Sequence, residues 1–181
     1  DKCPCLIIQL FVGESMHTYI NHCLDHDKQA EYFSSLFDNV NGYALSMEGK
    51  KMVGAEQDKT YTYSEVTFEG FKSILDLINP VSGYEFVDLG SGLGKAMLMA
   101  ALLYPCKRLT GMEIVPLLAA KSQDILTKFF NDMKVQYPSI DSPDVTILQD
   151  SFMNKANLTS ADIVFANATC FDDAQCHYIT Q

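Results

Sequence analysis

Four polar clusters each follow a short apolar run, and their residue types converge on one kind of ligand. They are Asp88-Leu-Gly-Ser-Gly-Leu-Gly94, Glu113, Asp150-Ser151-Phe152 and the run from Asn167 to Phe171. Gly90, Gly92 and Gly94, with Ser91 among them, let the backbone turn tightly and approach a ligand without interference from a Cβ atom. A dinucleotide fingerprint would need glycine at 90, 92 and 95, and residue 95 is lysine. Asp88, two residues before the first glycine, would repel a pyrophosphate and attract an ammonium group. Glu113 carries a carboxylate that can accept both hydroxyl hydrogens of a ribose, which an amide cannot do with both of its ends. Asp150 can accept from the exocyclic amine of adenine, with Phe152 against the ring.

These clusters need elements that bring them to one place. Tyr84 to Leu89 reads as a strand, and the glycine run opens a helix over Lys95 to Tyr104 that is apolar on nearly every side and so must be buried. A second strand over Arg108 to Ile114, a long helix over Leu117 to Met133, a third strand over Val145 to Gln149 and a fourth over Asp162 to Ala166 complete the alternation. Strands separated by helices of this length are βαβ units, so the fold class is α/β: a Rossmann-like parallel sheet with helices on both faces. Ligands in such sheets lie over the carboxyl ends of the strands, where the strand order reverses. All four clusters sit at those ends.

Upstream, Thr67 is placed to cap a helix whose Phe68, Phe71, Ile74, Leu75 and Ile78 share one face, and Asn79-Pro80 stops it. Ile7 to Leu24 and Gln29 to Phe37 carry helix-compatible spacing, which makes residues 1–60 an expected N-terminal helical extension to a domain over 61–181. The chain stops soon after its fourth strand, and left unpaired Ile163-Val164-Phe165 would form an apolar edge.

A nucleoside, a positive charge and no phosphate together describe S-adenosylmethionine. In their order and spacing, Asp88 to Gly94, Gly111-Met-Glu113, Asp150-Ser-Phe152 and Asn167-Ala-Thr-Cys-Phe171 resemble successive motifs of the class I, seven-strand S-adenosylmethionine-dependent methyltransferases. Thr62-Tyr63-Ser64-Glu65-Val66-Thr67 resembles the Thr-Tyr-Gly-Glu loop of the non-SET histone lysine methyltransferases, the disruptor-of-telomeric-silencing type. Ser64 stands where that loop has glycine, and Asn167 to Phe171 keeps the first and last members of that group's Asn-Asn-Phe-Ala-Phe run. The resemblance implies that Glu65 and Thr67 clamp the methionine part of the cofactor and that Asp88 and Gly90 hold it from below. It further implies Glu113 at the ribose, Asp150 with Phe152 at the adenine, and Asn167 facing the methyl-transfer channel, with Tyr63 and Phe171 as candidate walls. Against the seven-strand sheet that the resemblance implies, the C-terminal strands are expected to be missing. The implied activity is methylation of a protein lysine. A small-molecule methyltransferase and a catalytically silent cofactor-binding module are the alternatives.

Each of these residues also has a plainer role open to it. Asp88 would serve as a helix cap, Glu113 as a solvated strand-end acid, Asp150-Ser151 as a turn, Glu65 as a surface acid, and Tyr63 and Phe171 as core aromatics. Cys3, Cys5, His17, His22, Cys23 and His26 crowd the first 26 residues, but no Cys-x-x-Cys pair supports zinc, and no metal is expected. Cys170, Cys176 and His177 lack a visible orienting acid and are assigned to packing.

The 181 residues carry 23 acidic against 13 basic side chains, for a formal net charge of −10, and 48% are apolar. A chain of this size buries roughly 70% of its unfolded surface, which supports a core without disulfides or metal and excludes disorder. Ala96 to Tyr104 is the longest apolar run, far short of the ~20 residues that cross a bilayer, so no membrane partner is expected. With no dense Lys/Arg cluster, unaided nucleic-acid binding should be weak. Six irregularly spaced cysteines read as reduced, mostly buried thiols, pointing to an intracellular compartment, cytoplasmic or nuclear.

Overall fold

The computed structural model describes residues 18–19, 25–155 and 160–179. Its main sheet has four parallel strands in the order β5(Asp144–Leu148)-β3(Cys106–Met112)-β2(Tyr84–Leu89)-β6(Ile163–Ala166). The chain moves outward from β2 to β3 to β5 and then returns to the other side of β2. The order therefore reverses at β2, which creates a crevice above its carboxyl end, between the loops that follow β2 and β6.

Alternation along β2 divides the core. Tyr84 and Phe86 point into the larger apolar cluster, which gathers α1 (His26–Ser35), α3 (Phe68–Ile78), α4 (Lys95–Leu103) and α5 (Pro116–Gln136) on one face of the sheet. Val87 and Leu89 point the other way, into a smaller cluster with Met112 and Phe152, where α6 (Phe152–Lys155) and α7 (Asp173–Ile179) contribute. Helices thus cover both faces, unequally. Every residue of α4 from Ala96 to Leu102 is buried, as its all-round apolar sequence requires.

The N-terminal helices belong to the same core. Phe33 of α1 lies 5.5 Å from the ring of Phe68, and α2 (Gly42–Met52) packs on α5. A Cβ on Gly49 would fall 2.5 Å from Val115, so glycine is what lets α2 approach the start of α5 so closely. Lys50, buried in α2, donates from Nζ to the Asp58 carbonyl at 2.8 Å and so anchors the segment that leads into the Thr62–Thr67 loop.

Several sequence expectations shift. The helix proposed over Ile7 to Leu24 lies mostly outside the described residues, and where it is described, Thr18–Tyr19 is β1, paired in parallel with β4 (Ile140–Asp141). The second strand starts two residues early, directly after Pro105, and α5 runs three residues beyond Met133. In α3, Phe68, Phe71 and Leu75 are buried, whereas Ile74 is 42% and Ile78 47% exposed. Ile74 lies at the margin of the apolar stripe, and Ile78 is in the last turn, before the left-handed Asn79. Thiols are less buried than expected among the described residues: Cys106 is buried, Cys170 half-buried and Cys176 exposed, so packing does not account for Cys176. No described helix is long and apolar enough to cross a membrane.

Candidate active site

The glycine loop leaves β2 and is strapped to the end of β3. Gly90 and Ser91 both donate N–H bonds to the Met112 carbonyl, at 2.8 and 3.0 Å, and Gly94 donates to the Ser91 carbonyl at 2.8 Å. Gly92 donates to Glu113 Oε2 at 2.7 Å. Four loop N–H groups are therefore committed inside the protein, and phosphate-binding loops work by turning such groups toward the ligand. Gly90 and Gly92 have φ of 78° and 54°, conformations that explain glycine at both places.

Glu113 is a buried strut rather than a solvated acid. Its second oxygen, Oε1, accepts from Val115 N at 2.8 Å, so one carboxylate ties the glycine loop to the start of α5. The Ile114 N–H also bonds this carboxylate, so only part of its lone-pair capacity is left for a further donor. Burial raises its pKa, and the backbone bonds from Val115 and Gly92 oppose that rise. Asp88, 3% exposed, is pushed up to about 8 by burial and by the nearby Glu113. It does not cap α4, whose N-cap is Gly94 and has no side-chain cap bond. Two adjoining buried acids of this kind gain most from a positively charged neighbour, which would restore both carboxylates.

The cleft over these strand ends has two lobes. The first is lined by Glu113, Asp150, Ser151, Phe152, Phe171 and Gln175, among others, and the second by Glu65, Asp88, Ser91 and Lys95. Tyr63, Ser64, Gly90, Gly92 and Asn167 line both lobes and so mark their junction. In the first lobe Phe152 and Phe171 lie 5.2 Å apart at 31°, and Asp150 Oδ1 accepts from Ser151 N at 2.7 Å, so the turn role and the lining role coincide. A third, outer groove, lined by Asp38 to Tyr43, meets the junction at Tyr63 and Ser64.

Tyr63 is packed between glycines: a Cβ on Gly92 would fall 3.0 Å from its ring, and one on Gly42 would fall 2.5 Å from its hydroxyl. Its hydroxyl donates to Glu65, and burial together with that acid holds its pKa well above the usual phenol range. Glu65 also pairs with Lys95 Nζ at 2.6 Å, and Lys95 sits 4.6 Å over the Phe37 ring. Asn167 Nδ2 donates to Ser64 Oγ at 2.9 Å.

Two expected ligand residues stand apart. Thr67 Oγ1 caps α3 by accepting from Gly70 N at 3.1 Å, and Thr67 lines neither lobe. Gly94 also lines neither: a Cβ there would lie 2.5 Å from Ser122 Oγ and 3.1 Å from Leu126, so this glycine serves the contact between α4 and α5. Conversely, sequence reasoning missed Lys95, noted only as a breach of the dinucleotide pattern, and Ser64, noted only as a departure from a loop. Gln175 and the Asp38–Tyr43 turn carried no signal. Among the described residues, no group of three or more His, Cys, Asp or Glu is arranged to hold a metal ion, and most of the N-terminal Cys/His cluster lies outside them.

A candidate RNA methyltransferase from Pyrococcus horikoshii superposes with a TM-score of 0.51 at 16% identity, over 85% of this chain and 65% of that one, a likeness of fold alone. The histone-lysine N-methyltransferase of Caenorhabditis elegans specific for H3 lysine-79 is 28% identical over 120 residues, which is 62% of this chain and 12% of that protein. This chain thus corresponds to a small part of that relative's length. The profile of the histone methylation protein DOT1 matches residues 43–181, from the start of α2 onward. The chain belongs to the DOT1 family of histone methylation proteins.

Proposed function

We propose that the two-lobed cleft binds S-adenosylmethionine and that the chain directs its methyl group to a lysine amine of a histone. One observation carries this reading. Two buried acids, Asp88 and Glu113, flank a glycine loop in which the N–H groups of Gly90, Ser91, Gly92 and Gly94 are already bonded within the protein. That donor set suits a positively charged nucleoside and offers little to a phosphate.

In this reading Asp150, Ser151 and the Phe152–Phe171 pair hold the adenine, and the remaining lone pairs of Glu113 take the ribose hydroxyls. The second lobe, with Asp88, Glu65 and Lys95, matches an amino-acid zwitterion: acids for its ammonium and a lysine for its carboxylate. When bound, S-adenosylmethionine supplies a methyl carbon that bonds to the amine lone pair as the S–C bond breaks toward sulfur, leaving S-adenosylhomocysteine and a methylammonium that returns its proton to water. The protein has to align the amine, exclude water and keep the nitrogen unprotonated. Tyr63 and Phe171 supply the apolar walls that favour a neutral amine, and Asn167 at the junction accepts its N–H. The outer groove beside Tyr43 and Tyr63 is the acceptor's way in. A histone acceptor implies action in the nucleus.

The test is transfer of tritium from labelled donor to recombinant nucleosomes and, separately, to a cell extract. Label in histone H3 is expected. Label confined to small molecules would favour the small-molecule alternative, and donor binding without transfer would favour a silent module.

A further inference from the structure

We propose that Ser64 is a positioning residue for methyl transfer: its hydroxyl holds the amide plane of Asn167 in place at the junction, where Oδ1 can face the acceptor amine. The proposal rests on the methyl-transfer reading above. Ser64 lies in the loop before α3 and Asn167 follows β6, so the 2.9 Å bond from Asn167 Nδ2 to Ser64 Oγ joins segments 103 residues apart. Ser64 Oγ also lies 3.4 Å from Thr169 Oγ1, which gives the serine hydroxyl a second partner on the same loop as Asn167. The two bonds make a short chain at the junction of the lobes, where both Ser64 and Asn167 line the cleft.

The reason this matters is the shape of the asparagine amide. Its two ends are similar in size and opposite in character, and rotation of the amide exchanges a donor for an acceptor. An acceptor amine whose lone pair points at the methyl donor has only N–H groups to offer the protein, so it needs a carbonyl oxygen and not an NH2. Nδ2 is the end that Ser64 engages, and among the described residues Oδ1 takes no hydrogen bond. A hydroxyl can bond either end of an amide, so the serine fixes the amide's position and plane, and the acceptor's N–H groups favour the orientation with Oδ1 toward them.

The experiment uses the 181-residue chain, tritiated S-adenosylmethionine and recombinant nucleosomes, with Ser64→Ala, Ser64→Thr, Asn167→Ala and the Ser64→Ala/Asn167→Ala double variant. Ser64→Ala should lower kcat about 3- to 10-fold, the worth of one hydrogen bond, while donor KM and calorimetric affinity for S-adenosylhomocysteine stay within about twofold. Ser64→Thr, which keeps the hydroxyl, should recover at least about half of kcat. In the Asn167→Ala background, Ser64→Ala should change kcat by less than about 1.5-fold, because its effect passes through the amide. A Ser64→Ala variant as fast as an active wild type, a Ser64→Thr variant as slow as Ser64→Ala, or a full Ser64→Ala effect without Asn167 would each overturn the positioning role. A wild type with no turnover overturns the methyl-transfer reading itself, whereas an Asn167→Ala variant with unchanged kcat removes Asn167 from the mechanism and overturns the positioning role with it.

Discussion

Asp88 is the residue whose chemistry depends most on its surroundings. Its folded pKa, about 8, lies above the ordinary carboxylate value of 3.8, so between these limits the folded chain holds a proton that the unfolded chain has released. Stability from this group is therefore full at the acid end and falls as pH rises through that window. Asp88→Asn removes the titration. Its melting temperature should match the wild type near pH 4 and pull progressively ahead of it as the pH rises to 8.5. Parallel melting of the two proteins at both pH values would contradict the account. At the junction, Asn167→Ala should lower kcat by at least about tenfold with donor affinity retained, because it removes a bond made to the reacting amine; unchanged turnover in the same nucleosome assay would remove it from the mechanism. The identity of these acids was legible from strand-end position alone. The long-range partner was not: the bond from Gly92 to Glu113 exists only because the loop after β2 meets the end of β3, and no local pattern encodes that meeting.

At the scale of elements, α3, β2, α4, β3, α5, β5 and β6 follow from apolar periodicity, whereas the short β4, α6 and α7 carried no such signal, and the order of strands in the sheet emerged only in the structure. The helix α2 was hidden for a physical reason. Its sequence, GYALSMEGKKM, carries two glycines and no continuous apolar stripe, yet Asn41 caps it through a bond to Ala44 N and Gly49 lets it nest on α5. Ser64 and Lys95 show the same limit from another side: each read as a breach of a pattern, and each acquires a role only through a partner distant in sequence. The glycine loop illustrates how one motif serves two ends, since Gly90 and Gly92 line the cleft whereas Gly94 adjoins α5 with φ 75°. Gly94→Ala should cost ~1–3 kcal/mol through strain and overpacking, lowering the melting temperature while donor affinity at low temperature stays within about threefold. Loss of binding with unchanged melting would instead make Gly94 a ligand residue.

For the whole molecule, charge and topology set the terms of engagement. A net charge of −10 gives this chain no counterion-release drive toward DNA. Electrophoretic mobility of a nucleosome-length duplex should accordingly be unshifted at protein concentrations of about 10 μM, even in low salt; a shift that weakens steeply with salt would reveal a basic surface that composition conceals. The main sheet, by contrast, brings Asp88, Glu113 and Asp150 to the lining of the crevice where its strand order reverses.

The most direct test is calorimetric titration of the 181-residue chain with S-adenosylmethionine and, in parallel, with NAD. Saturable one-to-one binding of S-adenosylmethionine, with Kd on the order of micromolar, and no measurable heat from NAD is the expected result. Saturable binding of NAD, or an S-adenosylmethionine titration that shows none, would contradict the assignment of the acidic crevice to a cationic nucleoside.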